Sequence, residues 1–139
     1  MSRRRLCGIG IPIIIIAALA NLGMTSGHPG VRFGPIHVVA NRVSYTGKNC
    51  PVTIIFTATV NLRNPHDAVE LSYHWKRSDG AMSQQQAVTV RKNERSIVIH
   101  DEWSIGSPGT RYNAWEALYV SSGNARVSRR SPVVKIICK

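Results

Sequence analysis

Residues 52–62, VTIIFTATVNL, place an apolar side chain at every second position. The series runs from Val52 to Leu62, and most intervening positions hold threonine or another residue that favours extended backbone. Because successive side chains of a strand point to opposite faces, this period of two predicts a strand with one buried and one exposed face. We therefore expect the domain around this strand to be all-β.

The same alternation returns along the rest of the chain. Residues 69–76 repeat it after the turn-forming residues 64–67. About seven short strands separated by turn signals, with no amphipathic helical stretch after the N-terminal segment, predict an antiparallel β-sandwich. The further strands are expected between residues 36 and 45, at 87–90, from 96 onward, at 112–120 and at 133–138.

Some positions leave the orientation of a side chain open. Asp101 shares the parity of Ile99 and Trp103, so we predict either a bulge that turns it outward or an earlier end to that strand. Trp75 and Trp103 are predicted to lie in the core, because large aromatic side chains supply much of the apolar area that a small sandwich buries. Trp115 fits either face.

Length and charge bound the function. The 139 residues suffice for one domain, which disfavours a multidomain enzyme or a repeat array. The composition, 43% hydrophobic and 18% charged, is that of a folded chain. Eighteen lysines and arginines against seven acids give a net charge of +11, which favours anionic partners.

The N-terminal segment has the pattern of an export signal. Three arginines at residues 3–5 precede an uncharged apolar run at residues 6–22, and small residues stand at a possible cleavage site after Ala20. We expect a signal peptide within residues 1–27, cut after Ala20 or as late as Gly27. The alternative is an uncleaved anchor through residues 6–22. Either topology places residues 28–139, with a domain core at about 40–139, outside the cytoplasm, secreted or membrane-anchored.

Two cysteines remain after this segment, Cys50 and Cys138. In an exported chain an even number of cysteines predicts a disulfide, and only one pairing exists. The alternative is two free thiols.

A spaced set of motifs resembles the immunoglobulin-like β-sandwich domains of exported bacterial proteins. The motifs are Cys50-Pro51-Val52, residues 73–80 (YHWKRSDG), Trp103 before a glycine-containing turn, Trp115, and the closing Cys138. The resemblance covers about residues 40–139. It implies an immunoglobulin-like sandwich in which a disulfide joins the first strand to the last and a tryptophan is buried on the third. It implies no catalytic residues.

Two kinds of surface residue are candidates for binding. Basic residues gather at a hairpin tip and before the last strand, where they either discourage edge-to-edge aggregation or bind an anionic partner. Three aromatic residues could form an exposed platform for a sugar or a peptide. The basic candidates are Arg91, Lys92, Arg95, Arg126, Arg129 and Arg130, and the aromatic candidates are Tyr112, Trp115 and Tyr119.

The spacing of the candidate catalytic and metal-binding residues does not fit a catalytic or metal site. His100 and Asp101 are neighbours on a strand, so their side chains point to opposite faces and cannot join Ser104 in a catalytic triad. Glu70 and His74 share a face, but their spacing matches no known metal site. We therefore predict no catalytic residues, no metal and no cofactor.

The predicted function is that of a small, exported, non-enzymatic domain that contacts a protein or an anionic glycan or polymer at or outside the cell envelope. Nucleic acid is not an expected partner, because export removes most of it and no nucleic-acid-binding motif is present. Membrane contact is expected only if residues 6–22 remain attached. The alternatives are an envelope-tethered structural accessory and, least favoured, a small secreted hydrolase.

Overall fold

A computed structural model describes residues 31–139 of the protein, a span that contains ten strands and no helix. The expected signal or anchor segment, residues 1–27, lies outside the described residues. The strands are β1 (Arg32–Ala40), β2 (Ser44–Gly47), β3 (Val52–Arg63), β4 (Val69–Arg77), β5 (Gln86–Val90), β6 (Ser96–Ile105), β7 (Arg111–Ala114), β8 (Glu116–Ser122), β9 (Ala125–Arg130) and β10 (Val134–Cys138).

The strands form three sheets, ordered β1-β3-β6, β5-β4-β8-β9 and β2-β10-β7. The inward side chains of all three sheets belong to one buried cluster. The two sheets with the longer strands, β1-β3-β6 and β5-β4-β8-β9, therefore face each other, and the short-stranded β2-β10-β7 sheet completes the core. The predicted β-sandwich is confirmed. The paired strands run antiparallel except β2 and β10, which are parallel.

The expected number of about seven strands was too low. The early strand expected between residues 36 and 45 is two strands, β1 and β2, and β1 adds Ile36 and Val38 to the core. The run expected at 112–120 divides at Trp115, because β7 pairs with β10 whereas β8 pairs with β4. Strand β9 was missed, since it has a single aliphatic residue larger than alanine, Val127, and therefore no apolar alternation to reveal it.

The alternation of residues 52–62 is confirmed in the core. The side chains of β3 alternate between buried and less buried positions along almost its whole length. Trp75 on β4 is 1% exposed, while Trp103 on β6 is half-buried and packs against the core. The apolar face of each large sheet is therefore the one that its sequence period predicts.

The predicted disulfide between Cys50 and Cys138 is present, with the two Cα atoms 6.0 Å apart. Cys50 lies just before β3 and Cys138 ends β10, so the bond joins the third strand's N-terminal end to the last strand rather than the first to the last. Gly106 packs against it: a Cβ atom there would lie 2.5 Å from Sγ of Cys138, and the residue has φ +101°. A residue with a side chain would both strain the backbone and collide with the disulfide.

The alternatives predicted for Asp101 were wrong. Strand β6 pairs with β3 in one unbroken register from Ser96 to Ile105, with neither a bulge nor an early end. Asp101 keeps its inward parity, and its carboxylate lies 3.0 Å from Nη2 of Arg77. The same guanidinium binds Glu116, so three ionisable residues on three strands form one inward-facing cluster.

Candidate functional site

The outer face of the β5-β4-β8-β9 sheet carries the candidate binding site. The continuous register of β4, β8 and β9 places His74 opposite Tyr119 and Tyr119 opposite Ser128. In the next row Ser72 lies opposite Ser121, and Ser121 lies opposite Arg126. Apart from two alanines, the side chains on this face are polar or aromatic, and the opposite parity of the same strands supplies the core residues.

His74 and Tyr119 stack on each other. Their ring centroids are 5.1 Å apart and their planes differ by 4°. This separation is close to the spacing of about 4.8 Å between neighbouring strands, so the two rings lie face to face across the β4 and β8 pair. One face of the Tyr119 ring is therefore covered by His74, and its other face is directed toward β9. Tyr119 is 39% exposed.

A shallow depression of about 530 Å³ surrounds this aromatic pair. Its lining combines the two rings with hydroxyl and amide side chains and one guanidinium. Such a lining suits a ligand that presents both a flat surface and hydrogen-bonding groups. The polar and aromatic lining residues are Ser72, His74, Gln85, Tyr119, Ser121, Arg126 and Ser128.

The basic residues of β9 divide between its two faces. Arg126, Ser128 and Arg130 share one parity, so both arginines flank the short Ser128 side chain on the outer face. Arg129 has the opposite parity and is exposed at the edge of the sandwich. The structure thus brings Arg126 and Arg130 to the Tyr119 face and directs Arg129 away from it.

Trp115 supports Arg130 rather than standing beside Tyr119. The guanidinium of Arg130 lies over the Trp115 ring, 5.1 Å from its centroid. Trp115 is half-buried between β7 and β8, and its backbone exchanges hydrogen bonds with Ser78 in both directions. This cation–π contact restricts the orientation of Arg130, which reduces the entropy lost when that side chain binds a ligand.

Tyr112 belongs to a different depression, of about 300 Å³. It lies on β7, is 42% exposed, and lines this depression together with Trp103, Asp79 and Asn113. The three aromatic candidates therefore do not form one platform, because the change of sheet at Trp115 separates Tyr112 from Tyr119.

The second group of basic candidates, Arg91, Lys92 and Arg95, is exposed in the connection between β5 and β6. That connection follows Val90, which pairs with Val69 at the first residue of β4. His74 is five residues further along β4, a distance of about 17 Å in a strand. The six basic candidates thus lie in two separate regions, and only Arg126 lines the depression that holds the aromatic pair.

The residues considered for hydrolysis lie apart. Nδ1 of His100 is 3.0 Å from Oγ1 of Thr57 on the outer face of β3 and β6, while Asp101 points to the opposite face. Within residues 31–139 no three histidine, cysteine or acidic side chains gather as a metal site. The same span contains no helix long and apolar enough to cross a membrane.

Sequence reasoning missed the inward cluster of Arg77, Asp101 and Glu116. The sequence did contain a signal for this cluster, because each of the three residues has the same parity as the buried apolar residues of its own strand. A charged residue at an inward position on each of three strands predicts mutual compensation, because an isolated buried charge is costly.

Comparison with known proteins supports the fold. No protein-family model and no curated protein sequence matches the chain. The CARDB domain of a Pyrococcus furiosus protein, solved in complex with di-metal ions, is similar in structure: TM-score 0.50, 12% identity, 79% of this chain and 94% of that one. The match confirms the immunoglobulin-like β-sandwich.

A second similar structure is a Pseudomonas fluorescens alkylpurine DNA glycosylase bound to DNA containing an abasic site analog. Its TM-score is 0.47 and its identity 15%, over 78% of this chain. This chain spans 31% of the length of that enzyme chain.

Proposed function

We propose that the protein is an exported, non-enzymatic immunoglobulin-like domain that binds a glycan or protein partner at or outside the cell envelope. The outer face of the β5-β4-β8-β9 sheet is the binding surface. The observation that carries this proposal is the stacked pair of His74 and Tyr119, which lines one depression together with Arg126.

Export is supported by two independent features. The arginines before an apolar run have the pattern of a secretory signal. The disulfide between Cys50 and Cys138 is of the kind that persists in oxidising compartments. Together these features support localisation outside the cytoplasm, where the basic surface would meet envelope polymers.

A binding role suits the chemistry of this surface better than catalysis. Its hydroxyl, amide and aromatic groups can hold a ligand by stacking and hydrogen bonds. A nucleophile activated by a neighbouring base, or a carboxylate pair at the depression, would be needed for hydrolysis. Among the described residues, no carboxyl group lines the depression, and His74 stacks on Tyr119 rather than hydrogen-bonding one of the lining serines.

The test is binding of the full-length chain, purified under oxidising conditions, to envelope fractions of the source cells. We expect Tyr119→Ser combined with Arg126→Ser to weaken binding about tenfold or more, since stacking and one charge contact are lost together. The control is Tyr112→Ser combined with Arg91→Ser, which removes an aromatic ring and the same charge outside the depression. If the Tyr119 and Arg126 variant binds as the parent does, this surface is not the binding site.

A further inference from the structure

We propose that the binding surface takes an acidic saccharide, with a pyranose ring seated in a slot between Tyr119 and β9. This inference rests on the proposed function and names the chemical class of its ligand. The slot is defined by the free face of the Tyr119 ring, by Ser128 opposite it and by Arg126 at one end. Arg130 lies beyond Ser128 on the same face, with its guanidinium over Trp115.

The slot follows from the register of β8 and β9. Tyr119 stacks on His74 on the β4 side, so its second ring face is directed toward Ser128. The serine side chain is exposed and much shorter than the tyrosine ring, which leaves room beside the ring for another flat group. The apolar face of a sugar ring fits a tyrosine face, while its hydroxyls stay available for hydrogen bonds.

The positive charge around the slot favours an acidic ligand. Arg126 and Arg130 are each two residues from Ser128 on the same face, and their Cα atoms are about 13 Å apart along the strand. Both guanidinium groups can bind carboxylates through paired hydrogen bonds. On neighbouring strands this face adds Lys76 and the acid Glu70, so positive charge predominates around the slot.

The remaining lining favours a polyol. Ser72, Ser121, Ser128 and Gln85 offer hydroxyl and amide groups that both donate and accept hydrogen bonds. A saccharide hydroxyl also donates and accepts hydrogen bonds, so it pairs well with groups that can do both. An acidic peptide could satisfy the arginines but would leave the aromatic face without a matching ring, so the combination of features favours an acidic glycan.

The experiment measures binding of the full-length chain to four soluble polymers of matched chain length by isothermal titration calorimetry. Polygalacturonate supplies acidic sugar rings, polyglutamate supplies carboxylates without rings, dextran supplies rings without charge, and a single-stranded oligonucleotide supplies charged stacking bases. We expect polygalacturonate to bind about tenfold more tightly than each of the others, because it alone combines carboxylates with pyranose rings.

Two substitutions of Ser128 locate the site. Ser128→Leu fills the slot without changing charge, and we expect it to weaken polygalacturonate binding about tenfold. Ser128→Ala keeps the slot open and removes only one hydroxyl, so we expect it to weaken binding much less than Ser128→Leu does. Because Ser128 is exposed, both variants should melt near the parent temperature, which is measured in parallel.

Equal binding of polyglutamate and polygalacturonate would overturn the inference, because charge alone would then explain recognition. Tighter binding of the oligonucleotide would overturn it as well, and so would unaltered polygalacturonate binding by a folded Ser128→Leu variant. Each of these results is separate from the proposed function, which fails only if Tyr119 and Arg126 are dispensable for binding the envelope fraction.

Discussion

Nε of Arg77 lies 3.0 Å from Oε1 of Glu116, whose side chain has no exposed surface. Nη2 of the same guanidinium lies 3.0 Å from Oδ2 of Asp101 and 3.1 Å from the carbonyl oxygen of Glu102, to which it donates. Its centre also lies 5.3 Å from the centroid of the Trp103 ring. One arginine thus joins β4, β6 and β8 at the open side of the core.

The charges in this cluster balance only if one carboxyl is neutral. The pKa of Glu116 is raised to about 8, chiefly by burial and also by the neighbouring charge of Asp101, while the hydrogen bond from Arg77 opposes both effects. Oε2 of Glu116 is buried and has no hydrogen-bond partner among the described residues, which fits a protonated oxygen better than a charged one. Near neutral pH the cluster is therefore an ion pair of Arg77 and Asp101 beside a neutral Glu116.

Stability should fall as pH rises from about 5 to 9. Between the ordinary pKa of 4.5 and the folded value of about 8, the folded chain holds a proton on Glu116 that the unfolded chain has released. The stabilisation is complete below the lower value and lost above the higher one, and it is on the order of 5 kcal/mol. Urea unfolding at a series of pH values measures it.

Glu116→Gln is the matched control for this pH dependence. The amide can keep the hydrogen bond from Arg77 but does not titrate. We expect its unfolding free energy to change much less than that of the parent across the same pH range. Parallel curves for parent and variant would show that Glu116 is not the titrating group.

Removing the arginine should destabilise the fold. Arg77→Met leaves Asp101 without its ion pair and Glu116 without its donor. The Arg77 side chain is 28% exposed, so solvent screens part of the loss, and we expect a decrease of about 2 kcal/mol in the free energy of unfolding. Exposed Arg95→Met is the control and should change it by about 0.5 kcal/mol at most. Equal stabilities of the two variants would contradict the role given to Arg77.

Cys138→Ser should lower stability by about 4 kcal/mol, because Cys50 and Cys138 close a loop with a sequence separation of 88 residues. Chemical unfolding under oxidising conditions measures the difference. Reduced parent protein is the control and should lose a similar amount. A variant that unfolds at the same denaturant concentration as the oxidised parent would show that the bond is absent or does not stabilise the fold.

Gly106→Ala should be destabilising by about 2 kcal/mol or more, since it combines a positive φ with a collision at Sγ of Cys138. Gly109→Ala is the matched control: Gly109 also has a positive φ, +80°, but no heavy atom lies near its added Cβ. The difference between their thermal unfolding midpoints isolates the contact with the disulfide. Equal losses would mean that backbone strain alone explains the effect.

Much of the fold was predictable because core residues of the long strands obey a period of two. Residues 52–62 and 69–76 needed no tertiary information, and the inward faces of Leu118 and Val120 followed from the same rule. Strands β2 and β9 could not be found this way, because they are short or mostly polar and their pairing partners create them.

The candidate site was predictable only as residue types. Tyr119, Arg126 and Arg130 were identified as candidates, but their assembly depends on the register of β8 with β9, which the sequence does not state. His74 was considered only for a metal, and its stacking on Tyr119 depends on the pairing of β4 with β8. The grouping of Tyr112 with Tyr119 failed as a single platform because the chain changes sheets between them.

We propose that the partner binds the outer face of β4, β8 and β9. The most direct measurement is a titration of the isotope-labelled, full-length chain with solubilised envelope glycan, followed by backbone amide NMR shifts. We predict that the largest shifts occur around Tyr119, Arg126 and Ser128. Shifts confined to the Arg91–Arg95 region, or to the β1-β3-β6 sheet, would contradict the claim.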